Sequence, residues 1–195
     1  KLLCGNKDYL KELVKLKPRE VHDSRLSNLE LLKELAPDIQ RVYIKPPPTK
    51  SIKRLVSCAN VSFNTHISTI EKINEEAKRQ NVIHKIIIMI EMGDLREGVI
   101  RENVLPFYKK VFELEHVEIV GIGSNLNCLN GILPSKDKLI QLSLYKELIN
   151  AKFSSSIKWV SAGASITLPL LNKKQVPKGC NHFRVGETLY FGNNI

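Results

Sequence analysis

The stretch H-K-I-I-I-M-I-E, residues 84–91, decides the fold. Its apolar run is too short to cross a bilayer, and it lacks the alternation of a strand with one face in water. It has the pattern of a parallel strand covered on both faces. Working outward, three β-rich runs precede it, E-V-H-D-S (20–24), I-Q-R-V-Y-I-K (39–45) and N-V-S-F-N-T (60–65). Three follow it, V-E-I-V-G-I-G (117–123), I-K-W-V-S-A (157–162) and H-F-R-V-G (182–186). Helical periodicity fills the gaps. In L-S-N-L-E-L-L-K-E-L-A (26–36), Leu26, Leu29, Leu32 and Leu35 share a face. S-T-I-E-K-I-N-E-E-A-K-R-Q (68–80) opens on a serine cap and carries Glu71 where a capping box places its acid. S-K-D-K-L-I-Q-L-S-L-Y-K-E-L-I-N (135–150) is a third amphipathic helix.

Strands alternating with crossover helices make a parallel α/β sheet. Seven β units, with the chain opening directly before a helix, are one short of a (β/α)8 barrel. The expectation is a partial (β/α)8 TIM-type barrel forming one domain over 1–195. Its first strand would precede Lys1, and a further C-terminal region would follow Ile195. Repeats, low-complexity tracts and linkers are absent from the sequence. P-P-P at 46–48 stiffens one loop.

The chain has 195 residues, 43% of them hydrophobic, enough for one well-buried core. With no apolar span and no secretory signal in the sequence, a cytoplasmic protein without a membrane partner is expected. The net charge of +10 raises the question of nucleic acid. The lysines, however, are spread along successive helices and mixed with acids, as in E-K-I-N-E-E-A-K-R-Q (71–80), and no basic block or aromatic interleaving occurs. A nucleic-acid partner is therefore not expected. Cys4, Cys58, Cys128 and Cys180 form no C-x-x-C pair, and the histidines show no H-x-x-x-H spacing. This argues against a metal and for reduced thiols.

In (β/α)8 enzymes the site forms at the C-terminal strand ends, with phosphate held after the last two strands. Here those last loops carry S-A-G-A-S (161–165) and R-V-G-E-T (184–188). Small residues let backbone N–H groups approach a phosphate, and a following helix adds its dipole. His84 and His182 stand at strand starts, the wrong end for catalysis, and read as structural. G-I-G at 121–123 lacks the third glycine of a dinucleotide loop.

Five motifs carry a family resemblance: K-L-L-C-G-N (1–6), I-E-M-G-D-L-R-E-G-V (90–99), G-I-G-S-N-L-N-C (121–128), S-A-G-A-S (161–165) and R-V-G-E-T-L-Y-F-G-N (184–193). Together they resemble, in order, the alanine racemase-type family of pyridoxal-phosphate enzymes, closest to its ornithine racemase branch. The resemblance implies pyridoxal 5'-phosphate as cofactor, and racemisation of ornithine or a similar basic amino acid by proton transfer at both faces of Cα. It makes Lys1 the catalytic lysine that forms a Schiff base with the cofactor. Arg184 matches the arginine that faces the pyridine nitrogen. A guanidinium only donates, so it would keep that nitrogen unprotonated. Arg96 matches the arginine that contacts the cofactor phenolate or the substrate carboxylate. Ser161 and Asn125 fall among the cofactor-binding positions. Ser165, Gly186 and Glu187 match the phosphate cup, although a Ser165 that merely capped the next helix would look the same in sequence. Asn125 and Ala164 depart from the His and Asn of alanine racemase proper, which counts against alanine as substrate rather than against the cofactor. The partner is then a small amino acid, and the intact protein a homodimer. The alternative reading is a non-catalytic pyridoxal-phosphate-binding homeostasis protein on the same barrel.

Overall fold

A computed structural model of the chain describes residues 2–126 and 131–192. Seven parallel strands lie in one sheet in chain order, each followed by a helix. This is the winding of a (β/α)8 barrel, with seven of its eight strand positions occupied by the described residues. Every β-rich run of the sequence coincides with one strand, although β6 extends two residues beyond its run, to Ala164. The chain divides into two compact units, residues 1–86 with 114–118, and residues 87–113 with 119–195.

The first unit holds α1 (Lys7–Lys15), β1 (Glu20–Asp23), α2 (Leu26–Leu35), β2 (Gln40–Tyr43), α3 (Ile52–Cys58), β3 (Val61–Asn64) and α4 (Ile67–Arg79). It also takes the first residues of β4 (His84–Met89). The motif K-L-L-C-G-N shapes its entry. Asn6 caps α1, its side-chain oxygen accepting from the backbone N–H of Asp8 at 3.0 Å and of Tyr9 at 3.1 Å. Gly5 has φ +77°, and a Cβ there would lie 2.3 Å from Asn28 Oδ1. Only glycine fits both demands. Asn28 in turn donates to Asp23 Oδ2 at 3.0 Å, and Arg25 N donates to Asp23 Oδ1 at 2.8 Å. Burial pushes the Asp23 carboxyl up, but hydrogen bonds, these two among them, outweigh it and hold the group below its ordinary value.

Strands β1 and β2 pair from Glu20 with Gln40 to Asp23 with Tyr43. Arg41 is buried on β2, where its guanidinium donates to the carbonyls of Pro37 at 2.7 Å, Ile39 at 2.8 Å and Cys58 at 2.8 Å. Helix α4 starts earlier than expected. His66 is its N-cap residue in extended backbone, and no side chain caps it. The proposed cap Ser68 therefore lies inside the first turn, because the chain already turns helical at Ile67.

The second unit holds the rest of β4, then α5 (Val104–Phe112), β5 (Val117–Gly123, from Ile119 onward), α6 (Lys136–Phe153), β6 (Trp159–Ala164), α7 (Leu168–Asn172), β7 (His182–Arg184) and α8 (Glu187–Phe191). Ile87, Ile88 and Ile90 are fully buried, as the unbroken apolar run requires. Ser135 caps α6, accepting from Lys138 N at 3.3 Å. Strands β6 and β7 pair at Ser161 with His182 and at Ala164 with Arg184. One extra residue on β6 between those pairs makes a bulge. Burial pushes the Cys58 and Cys180 thiols up to about 11, so they pack as small apolar groups rather than react.

His84 shows how strand-start polar groups are accommodated. It is buried, and its ring Nε2 lies 2.9 Å from Ser62 Oγ, which also accepts from Asn64 Nδ2 at 2.9 Å. Burial pushes its pKa from 6.5 down to about 4. Above pH 6.5 the imidazole is neutral in both folded and unfolded chains. Between 6.5 and about 4 only the unfolded chain takes up the proton, so stability falls as pH falls, and below about 4 the loss levels off. The full loss is on the order of 3 kcal/mol. Urea unfolding at about pH 7 and about pH 4.5 should therefore show a smaller loss in His84→Gln than in the unsubstituted chain. Equal losses in the two proteins would mean that His84 is not the group responsible.

Candidate active site

The C-terminal strand ends of the second unit bring five of the expected residues into two hydrogen-bonded groups. The first is centred on Arg184, the last residue of β7. Nη2 donates to the Ser124 carbonyl at 2.8 Å and to Asn125 Oδ1 at 2.9 Å. Nη1 donates to Ser161 Oγ and reaches the Ser161 carbonyl at 3.4 Å. The acceptors come from β6 and from the chain just beyond β5, so four contacts fix the plane of the guanidinium. Asn125 continues the group, its Nδ2 donating to Glu97 Oε1. On the other side Ser161, itself fully buried, lies 2.8 Å from His182 Nδ1, and the His182 ring stacks on Trp159 at 5.2 Å and 11°.

The second group is centred on Ser165, just past β6 and 3% exposed. Its hydroxyl accepts from Gly186 N at 3.2 Å and Thr188 N at 3.3 Å. Ser165 therefore gathers the backbone of the next strand end. It is the first residue of the short helical turn Ser165–Thr167, which has no side-chain cap. Thr188 Oγ1 is buried there with no hydrogen-bond partner among the described residues. Two N–H groups, one hydroxyl that already binds them and a second, unpartnered hydroxyl make a compact donor cluster.

The loop after β4 supplies Glu97. Glu91 Oε1 accepts from Gly93 N at 2.6 Å and Leu95 N at 3.0 Å, and Lys138 Nζ donates to the Met92 carbonyl at 2.8 Å. The loop returns to its own strand: Val99 N donates to the Met89 carbonyl at 2.8 Å, and Glu91 N to the Val99 carbonyl at 3.0 Å. Gly98 makes that return with φ +147°, where a Cβ would lie 2.4 Å from Glu91 N. The expected residues Arg96 and Glu187 are both solvent-exposed, and from this loop it is Glu97 that reaches the Arg184 group. Lys1 lies outside the described residues.

Three participants were not counted among the site residues in the sequence. Glu97 sits within the quoted G-D-L-R-E-G motif beside the arginine that drew attention. His182, read as a structural strand-start residue, bonds the same serine as Arg184. The signal for it was spacing, since residues two apart on a strand share a face. Thr188 follows R-V-G-E directly.

Comparison with known proteins adds to this geometry. The family model described as "Alanine racemase, N-terminal domain" matches residues 12–194. An ornithine racemase of Acetoanaerobium sticklandii is 34% identical over 193 residues, covering 98% of this chain and 54% of the relative. A lysine racemase of Thermotoga maritima is 27% identical over 195 residues, covering 100% of this chain and 54% of the relative. The chain thus spans about half the length of the curated relatives it matches. Among solved structures, PipY of Synechococcus elongatus PCC7942 with PLP bound superposes with a TM-score of 0.79 at 14% identity, covering 94% of this chain and 87% of that one. At that identity the superposition speaks for the fold alone. With a family model matching residues 12–194, the chain belongs to the alanine racemase N-terminal domain family.

Proposed function

We propose that residues 1–195 form the pyridoxal-phosphate-binding barrel domain of an amino-acid racemase that acts on ornithine or a similar basic amino acid. The observation that carries the reading is the pairing of the two groups above, a donor cluster at Ser165, Gly186 and Thr188 and a clamped, donor-only guanidinium at Arg184. The residues fit pyridoxal phosphate. Phosphate needs several donors and little bulk, and the unpartnered Thr188 hydroxyl would gain an acceptor. The ornithine and lysine racemases among the relatives support a substrate with a distal amine.

When bound, pyridoxal phosphate supplies an aldehyde that condenses with amines and a ring that accepts the electron pair left when Cα loses its proton. Ser165, Gly186 and Thr188 would hold its phosphate. Arg184 would donate to its pyridine nitrogen and, being unable to accept a hydrogen bond, would leave that nitrogen unprotonated. This weakens the ring as an electron sink and favours return of the proton to Cα over its loss elsewhere. Lys1 would carry the amine that reacts with the aldehyde and then move a proton at one face of Cα. Inversion needs a second acid–base group at the opposite face. Arg96, exposed in its loop, would meet the substrate carboxylate or the cofactor phenolate, with Ser161 and Asn125 holding Arg184 from behind. We further propose that the intact protein works as a homodimer in the cytoplasm. No helix among the described residues is long and apolar enough to cross a membrane. A second reading, a non-catalytic pyridoxal-phosphate-binding protein, draws on the PipY superposition, which covers most of that chain.

A chiral assay of the intact protein against a panel of amino acids, ornithine first, separates the two readings. Racemisation supports ours, and cofactor binding without turnover of any amino acid favours the second. Borohydride reduction of the loaded protein followed by peptide mapping should place the pyridoxyl group on Lys1, and labelling of another lysine would remove that assignment. Ser165→Ala should weaken retention of pyridoxal phosphate by about tenfold or more, the worth of one hydrogen bond to a charged group. An unchanged dissociation constant would leave Ser165 a purely structural link. Arg184→Glu should raise transamination relative to racemisation, because a carboxylate accepts a hydrogen bond from a protonated ring nitrogen. An unaltered product ratio would place Arg184 away from the ring.

A further inference from the structure

We propose that Glu97 is a positioning residue for Arg184, acting through the side-chain amide of Asn125. The relevance of this to turnover rests on the racemase reading, but the contacts themselves do not. A carboxylate can only accept hydrogen bonds and a guanidinium can only donate them. The Asn125 amide lies between one of each, with Nδ2 donating to Glu97 Oε1 and Oδ1 accepting from Arg184 Nη2 at 2.9 Å. Rotating that amide by half a turn would set its NH2 against the guanidinium and its carbonyl against the carboxylate. Both contacts would be lost and both replaced by repulsion. Glu97 therefore selects the rotamer in which Asn125 presents an acceptor to Arg184, and the amide dipole lies aligned between a negative and a positive charge.

The placement of Glu97 is itself fixed. Its loop is pinned on one side by the Glu91 carboxylate, which accepts from Gly93 N and Leu95 N, and on the other by Gly98, whose backbone conformation returns the chain to β4. Lys138 ties the same loop to α6 through the Met92 carbonyl. Glu97 is half-buried, so its bond to Asn125 competes less with water than a surface contact would. The loop after β4 thus has an effect on the last residue of β7 that no direct contact between Glu97 and the cofactor position is needed to explain.

The test reads Arg184 without any cofactor. In isotopically labelled full chain, NMR gives the exchange rates of the Arg184 Nη protons and the Asn125 side-chain amide resonances. Glu97→Leu, which cannot accept a hydrogen bond, should speed Arg184 Nη exchange by roughly tenfold and shift both Asn125 Nδ2 proton signals, the effect of one lost bond. Glu97→Gln keeps an acceptor and should stay within about threefold of the unsubstituted chain. In an Asn125→Leu background, Glu97→Leu should change nothing further, because the coupling runs through the amide. If Glu97→Leu does not fold, Glu97→Ala takes its place. Exchange within about twofold of the unsubstituted chain in Glu97→Leu, or an undiminished effect in the Asn125→Leu background, would overturn the proposal. If the chiral assay of the intact protein shows no racemisation while Arg184 exchange responds as expected, the racemase reading falls and the role of Glu97 stands.

Discussion

Burial of parallel strands on both faces is the constraint from which the rest follows. In β4 the side chains from Ile86 to Met89 are at most 1% exposed, so this stretch has no room for an unsatisfied polar group. Polar side chains are driven to the strand ends, where they must satisfy one another. The first unit does this in part with Ser62, Asn64 and His84, although Asn64 Oδ1 is buried without a partner among the described residues, and burial keeps the imidazole neutral. The second unit does it with Ser161, His182, Arg184 and Asn125. The same physical demand yields structural support in one unit and a candidate site in the other. The difference lies in whether the group includes a permanent charge.

That charge organises the site into two zones of opposite character. Around Arg184 the neighbours are acceptors: two carbonyls, an amide oxygen and a hydroxyl. Around Ser165 the neighbours are donors, two backbone N–H groups meeting at one oxygen. A ligand that suits both is anionic at one end and offers a neutral acceptor at the other. The bulge in β6 separates the zones, since it is the extra residue between Ser161 and Ala164 that lets Ser161 face Arg184 while Ser165 faces the start of α8.

The fold was legible because its signals are local. Six of the seven strands lie inside a β-rich run, β6 runs two residues past its run, and α6 begins one residue after the expected start at Ser135, which serves as its cap. Local signals also misled. Ser68 followed by Glu71 reads as a capping box, yet His66 ends the extended segment first and the helix begins without a side-chain cap. Of the candidate site, Ser161, Ser165, Gly186 and Arg184 were visible in the sequence, since small residues and a strand-end arginine announce themselves, and the structure brings them together. Its supporting contacts were not. Glu97 and Asn125 are 28 positions apart and Arg184 and Asn125 are 59, and no periodicity records such pairings. Arg41 was invisible for the same reason, because nothing in its neighbours says that three carbonyls converge on it.

The loop after β4 closes on its own strand, with two backbone hydrogen bonds at its base and a parallel bridge between Ile90 and Val99. Its two ends therefore stay together whatever lies between them. For a loop so closed, doubling the length costs only about 0.6 kcal/mol of chain entropy. Added length between Met92 and Gly98 therefore costs little chain entropy, whereas Gly93 and Gly98, held at positive φ, and the buried Asp94 tie the present loop to its conformation. Such a loop can lengthen while the strand and the hydrogen bonds at its base stay fixed.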